Sequence, residues 1–368
     1  MLGVTNAASL TLAQTALGGG GGNSNGGAAG GGGAANSSLT FSDIPTVVHT
    51  SSGSLFGTAT ATGGHGGSSF SGAFGGNGGA ATASATMTGT AAEQVTAVAN
   101  ANGGAGGTGI IGGGVGGAAT ATSNATGKQV NSNANAVAGA GQGGPNTALA
   151  TAIANGATGL ADAKATTALV APVHPSTIIA DANMFVSGGA SLTAETTGFT
   201  APAFITPAAG VATGSVAPNA ASANPVVATN PNIAGKIGAS PTFLAMGELG
   251  GGYATGAAGA TNYTTSIELK VGLAAADLSN DLVVSFYNPT RMGVGVSDMS
   301  LEIRANSITV PSGGSFADEV AFFTDHPVDC GTLATMAPSN GMLDLTVTIK
   351  ESLASPGDGF YVGYLVTG

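Results

Sequence analysis

Charge is what this chain has least of. Asp, Glu, Lys and Arg make up 7% of its 368 residues, against roughly a quarter in ordinary soluble domains. With seven Lys and Arg in all and a net charge of −11, no phosphate-neutralising stripe can be assembled, which excludes nucleic acid as a partner. Tryptophan is absent and aromatics are 5%, so an ordinary enzyme core over most of the length is not expected. The one cysteine, Cys330, permits no intrachain disulfide. Beside Pro327 and Val328 it reads as a small buried hydrophobe, with an intermolecular bridge as the minor alternative. No apolar run approaches the ~18 residues of a transmembrane helix. The first basic residue is Lys128, so the chain as written starts without the charged n-region of a secretory signal. Glycine is not at every third position with abundant proline, which excludes collagen. Low charge combined with 43% hydrophobic residues argues against a solvating disordered tail.

What is present instead is small. The 65 glycines are well over the roughly 7% of an average protein, and most of them sit in the first half. Residues 1–261 carry six acids and three bases, whereas 262–368 carry twelve acids and four bases. An ordinary charged surface therefore belongs only to the C-terminal third. Four zones follow: an N-terminal arm and Gly-rich tether (1–57), a Gly/Ala/Thr repeat region (58–167), a Pro-rich extended connector (168–261) holding eight of the fifteen prolines, and a C-terminal β domain (262–368).

The repeats are the most informative part. Ala81-Thr82-Ala83-Ser84-Ala85-Thr86-Met87-Thr88-Gly89 aligns with Ala119–Gly127, 38 positions on, and Glu93-Gln94-Val95 with Lys128-Gln129-Val130, 35 on; Ala150–Gly159 is a looser third copy. Each alternating Ala/Thr run is joined to a Gly-rich run such as 103–107 or 112–117. Period-2 alternation predicts strands, and a repeat of this length predicts stacking. An Ala/Gly face buries too little apolar area to offset the ordering of its backbone, so order must come from close approach and a dense hydrogen-bond lattice. The Gly-Gly-x-Gly-Gly runs resemble the three-residue-per-turn strands of polyglycine II bundles. The fold class expected is all-β: β-solenoid-like layers or a polyglycine II bundle, plus a C-terminal β-sandwich of immunoglobulin-like or jelly-roll kind. Strands are expected there at Thr265–Val271, Leu282–Tyr287, Asp298–Arg304, Ser307–Val310, Val320–Phe323, Met342–Ile349 and Phe360–Thr367, with a short helix near Gly272–Leu278.

No chemistry-bearing motif stands out. Gly127-Lys128 and Gly235-Lys236 lack the Ser or Thr of a phosphate loop. His49, His65, His174 and His326 are scattered without ligand spacing. Asp325-His326 with Asp329 is one local acid–histidine cluster, read as a turn, and Asp318, Glu319, Asp325 and Asp329 are the one candidate Ca²⁺ cluster, weighed against a solvated acidic face. Asn36, Asn124 and Asn262 begin glycosylation sequons. No catalytic, cofactor-binding or metal-ligating set is predicted, and no enzyme activity is expected.

The Ala/Thr/Gly repeats followed by a β domain resemble the Gly/Ala/Thr-rich repeat proteins of bacterial surfaces and extracellular matrix, among them filament subunits and adhesins. The C-terminal run Phe360–Gly368 resembles the apolar tails of one-step secreted bacterial proteins. The resemblance implies a self-assembling extracellular or cell-surface subunit forming a filament, sheath or matrix, with itself as principal partner and surface glycans or Ca²⁺ as secondary ones. The alternative it implies is an adhesin with a repeat stalk and a C-terminal binding module. Thr-x-Thr ladders also resemble ice-binding surfaces, a distant alternative. The arm Leu2–Leu17 is a candidate for packing on a neighbouring subunit, by strand addition or against its Gly-rich layer, weighed against an arm folded back on its own subunit or frayed.

Overall fold

Alternating small apolar and hydroxyl residues give strands, and the strands stack in sequence order. The computed structural model describes residues 8–43, 52–89, 94–142, 146–167, 176–187, 210–216, 220–238, 241–252, 261–273, 277–310, 318–337, 341–353, 355 and 357–368. Strands β1 (Ser9–Leu17), β2 (Ala35–Asp43), β3 (Ser54–Thr62), β4 (Ala81–Gly89) and β5 (Gln94–Asn102) are followed by the long β6 (Ala119–Ala138) and β7 (Asn146–Thr167). One parallel layer contains β1, β3, β5 and the second halves of β6 and β7. The other contains β2, β4 and the first halves of β6 and β7. Ala81–Thr88 lies in register with Ala119–Thr126, and Gln94-Val95 with Gln129-Val130, the same offsets that relate them in sequence.

Register turns alternation into columns. Leu10, Leu55, Val95 and Val130 form one inward column, and Ala16, Ala61, Ala101 and Ala136 another. Opposite them, Ala83, Ala121 and Ala150 stack without solvent contact. Small residues let the layers approach closely. At Gly57 an added Cβ would lie 2.2 Å from Met87 Sδ, so the missing side chain in one layer is the space that the largest side chain of β4 fills.

The glycine runs join the layers at one end, and their hydrogen bonds recur every three residues. The N–H groups of Gly18, Gly21 and Ser24 donate to the carbonyls of Thr62, His65 and Ser68, and those of Gly63, Gly66 and Ser69 donate to Asn102, Ala105 and Thr108. A second set crosses the bundle without a break: Gly139 donates to Gly117, Gly117 to Gly104, Gly104 to Gly79, Gly79 to Gly64, Gly64 to Gly33 and Gly33 to Gly19, at 2.7–2.9 Å. In the triplets at 63–68, 75–80 and 103–108 both glycines face neighbouring backbone, while x stands outside and repairs what remains. His65 Nδ1 accepts from Ala105 N–H at 3.2 Å, Asn77 Oδ1 from Val115 N–H at 3.0 Å, and Asn23 Oδ1 from Ser68 N–H at 2.7 Å.

Two expectations for the first zone give way here. Ser9–Leu17 pairs with β3 of its own chain, because its Leu10, Leu12 and Ala16 continue the inward columns. The glycines after it are bonded on their inner side, Gly18 and Gly21 donating to Thr62 and His65 and Gly19 and Gly22 accepting from Gly33 and Gly30, so they are not a free tether.

The later strands extend both layers. β8 (Ser176–Ser187) continues the second in parallel, and β9 (Gly210–Val216) the first in antiparallel sense. Helices α1 (Ala220–Thr229) and α2 (Pro231–Ile237) follow. Then come β10 (Phe243–Gly252), β11 (Thr261–Gly272), β12 (Asp281–Met292), β13 (Asp298–Ala305), β14 (Ile308–Val310), α3 (Glu319–Phe323), β15 (His326–Thr332), α4 (Leu333–Met336), β16 (Met342–Leu353) and β17 (Gly359–Thr367). β9–β10–β17–β12–β15 prolongs one layer and β8–β11–β16–β13–β14 the other, joining all seventeen strands in one sheet.

The differences from expectation have local causes. The Pro-rich zone supplies strands inside the sheet and two helices: Pro231 occupies the first turn of α2, where its missing N–H costs nothing, and Pro225 interrupts only the ten-residue α1. Val320–Phe323 is helical because Asp318 caps it, its Oδ1 accepting from Ala321 N–H at 3.1 Å. Of the helix expected near Gly272–Leu278, residues 274–276 lie outside the described residues, and Asp277–Ser279 forms a 3₁₀ turn.

Candidate functional site

Three places concentrate what this surface offers a partner. The first is the far end of the glycine bundle. Its turns lie side by side, with Ser24 bridged to Ser69 and Phe74 to Gly112. Phe70, Phe74, Ile110 and Ile111, the largest apolar side chains of these turns, are 60%, 53%, 71% and 57% exposed. Several polar side chains there bond within the turns: Ser24 Oγ accepts from Gly27 N–H at 3.0 Å, Ser69 Oγ donates to Gly27 O at 2.9 Å, and the Thr108 hydroxyl donates to Ser68 Oγ at 3.1 Å. Sequence reasoning passed over these four residues, although large apolar side chains in a run of glycines are themselves a signal.

The second place is the stack's first coil. Among the described residues β1 pairs only with β3 and β2 only with β4, so both layers end on the same side. A Cβ at Gly19 or Gly22 would meet no atom within 4 Å, whereas interior glycines touch backbone. Leu10, Leu12 and Leu39 are partly buried against the core here.

The third is internal. Glu248 on β10 is 6% exposed and Glu351 on β16 2%. Burial raises the Glu248 carboxyl to about 7, with Lys164 opposing. Burial also raises Glu351 well above the carboxylate range, Glu319 adding to the rise and the nearby Gly251 backbone partly opposing it. Neither carboxyl oxygen of Glu351 has a hydrogen-bond partner among the described residues. Tyr361 stands within the field of both glutamates, its hydroxyl raised chiefly by burial. Glycines make room for the other rings: a Cβ at Gly251 would lie 2.3 Å from Tyr263, at Gly247 2.5 Å from the Tyr364 hydroxyl, and at Gly363 2.6 Å from Tyr287.

The acidic residues singled out in the sequence are dispersed to separate structural tasks. Asp318 caps α3, Glu319 lies 3.7 Å from Arg291 Nη1, and Asp329 binds Lys236 Nζ and accepts from Gly331 N–H. Asp325 Oδ2 and Oδ1 accept from Asn232 and Ile233 N–H, both at 2.9 Å, and so cap α2 from across the fold. The candidate Ca²⁺ cluster is therefore not assembled, and among the described residues no three His, Cys, Asp or Glu side chains converge as metal ligands. His326 stacks at 4.3 Å from Phe322, and its burial lowers its pKa. Cys330 is buried and its thiol is pushed up to about 12. His49 and His174 lie outside the described residues. Asn36, Asn124 and Asn262 fall on β2, β6 and β11.

The cap on α2 carries a prediction. Asp325→Ala orphans two helix N–H groups and costs about 1–2 kcal/mol. Amide exchange in 231–237 should accelerate with that loss, while exchange in β6 and β7 stays unchanged. Equal exchange in both variants would show that Asp325 does not hold the helix.

Among the described residues no helix is long and apolar enough to cross a membrane. The chain matches no known family, no curated protein and no solved structure.

Proposed function

We propose that this chain is a structural subunit that assembles, outside the cell or at its surface, by continuing its own stack. In finer terms, we read the repeat region as a β-solenoid flanked by a polyglycine-II-like bundle, and the C-terminal portion as a β-sandwich closing one end. The supporting observation is the open first coil. There β1, β2 and the first glycine run all end together with nothing on their outer side among the described residues. Unpaired strand edges recruit further strands, and repeat stacks require a terminal cap. A second copy of the chain supplies one with the same spacing.

The test uses the empty space at Gly19 and Gly22. Gly19→Val and Gly22→Val each start from a Cβ that meets no atom of the subunit's own fold within 4 Å, yet block the close approach that another backbone needs. The unmodified chain should form regular oligomers or fibres in sedimentation and electron microscopy. The double variant should fold with an unchanged circular dichroism spectrum and remain monomeric. A monomeric parent chain, or a variant that assembles equally well, overturns the reading.

The surface-binding alternative is favoured by one observation, the exposed apolar tip, which is built from the glycine runs and not from 262–368. The ice-binding alternative draws on outward ranks such as Ser84, Thr122 and Thr151, but Leu149 and Ile153 interrupt the neighbouring ranks of Thr120 and Asn124.

A further inference from the structure

The tip of the glycine bundle combines apolar side chains, spent polar groups and an absence of charge. Phe70, Phe74, Ile110 and Ile111 are more than half exposed, on turns whose backbone is pinned. Phe70 N–H donates to Ser24 O and Gly75 N–H to Gly112 O, each at 2.9 Å, and Phe74 O accepts from Ala29 N–H at 3.3 Å. Exposed apolar residues grouped in this way mark an interaction surface.

Its chemistry narrows the partner. Asn23, Ser24, Ser68, Ser69 and Thr108 are engaged with one another or with turn backbone. That leaves Asn25 and Ser71 as the exposed polar side chains of the turns, few for a sugar or a specific protein epitope, whose interfaces carry directional bonds. No Asp, Glu, Lys or Arg occurs in 18–34, 63–80 or 103–118. Lys128 lies just past Gly127, at the other end of the first half of β6, roughly 25–30 Å of strand away. The body, in contrast, has a net charge of −11, with twelve of eighteen acids in 262–368.

The geometry points to a neutral, zwitterionic lipid surface as the partner of this tip, with Phe70, Phe74, Ile110 and Ile111 entering the headgroup boundary. Lipid requires apolar area and no directional bonds. The uncharged tip meets no electrostatic barrier there, whereas an anionic membrane would repel a body of net charge −11. This inference is independent of the assembly reading.

The chain has no tryptophan, so Phe74→Trp introduces a single reporter, and Phe56→Trp, on the outward face of β3, is its control. Mixed with phosphatidylcholine vesicles, the Phe74→Trp chain should shift its emission to the blue and the control should not. The unmodified chain should float with the vesicles at low and high salt alike. Phe70→Ser and Ile111→Ser should each weaken partitioning by about tenfold, and anionic lipid should weaken it further. The Gly19→Val, Gly22→Val variant should still float, which separates this inference from subunit assembly. It is overturned if the unmodified chain does not float, if the serine variants float equally, or if they abolish self-association in lipid-free solution while vesicles shift nothing.

Discussion

Gly104→Ala should destabilise the glycine bundle, whereas Gly19→Ala should leave it intact. A Cβ at Gly104 would lie 1.9 Å from the carbonyl oxygen of Gly64, and neither backbone can retreat. Gly104 N–H is bonded to Gly79 O at 2.9 Å, and Gly104 O accepts from Gly117 N–H at 2.8 Å, within the ladder that crosses the bundle. Moving one segment breaks bonds to two others, so the cost is about 3 kcal/mol or more. Gly64, where a Cβ would lie 2.0 Å from Gly19 O, should behave likewise. Gly19 itself faces open space, and alanine there should be neutral or stabilising by about 0.5 kcal/mol through the unfolded chain. Thermal unfolding followed by circular dichroism separates the cases. Equal melting temperatures for Gly104→Ala and Gly19→Ala would mean that close backbone packing does not hold this region together.

That contrast also explains how far the sequence could be read. The Gly-Gly-x triplets at 63–68, 75–80 and 103–108 already carried the period of three, and the 38- and 35-residue offsets already carried the register, since stacked coils must repeat wherever their side chains share a column. Which glycine meets a neighbour and which meets water was not legible. Gly19 and Gly64 look alike in the chain and differ only in their place in the stack. The arm was misjudged for a related reason. Ser9–Leu17 has too few Ala/Thr pairs to look like a repeat, yet Leu10, Leu12 and Ala16 have the spacing of the inward columns.

Strong β residues marked every strand of 262–368 except β15, while the extended connector was read without singling out β10. Gly247 and Gly250–Gly252 weaken it as a strand by propensity, and their purpose appears only when Tyr263 and Tyr364 are set against them. The buried carboxylate had a signal that went unread. Asp344, Thr346, Thr348 and Lys350 alternate with Leu345, Val347 and Ile349, and the next residue on the apolar face is Glu351. Strand parity alone places it inside. Glu248 had no such mark, because nearly all of β10 is buried and its burial does not alternate.

Those two glutamates make the fold more stable in mild acid than in mild base, the reverse of ordinary acid unfolding. A carboxyl whose folded pKa lies above its unfolded value binds the proton more tightly in the fold. Its contribution is complete below the unfolded pKa and is lost as pH rises towards the folded one. For Glu248 the window runs from 4.5 to about 7, a loss of about 3 kcal/mol across it. Glu351 acts in the same direction from the same starting pH. His326 opposes part of this: its lowered pKa means stability is lost as pH falls below 6.5. Asp329, lowered by Lys236 and half exposed, opposes it only below 3.8 and contributes little. The buried tyrosines and Cys330 add to the loss only in stronger base. The melting temperature should therefore fall between pH 5 and pH 8. Glu248→Gln with Glu351→Gln, neutral at every pH, should flatten that fall and raise stability at pH 8 by about 3 kcal/mol or more. Each single variant should remove part of the slope, and His326→Gln should steepen it. A parent curve that rises from pH 5 to pH 8, or a double variant that keeps the parent's slope, would place the ionisation elsewhere and leave the two buried carboxyls without a part in the stability of the fold.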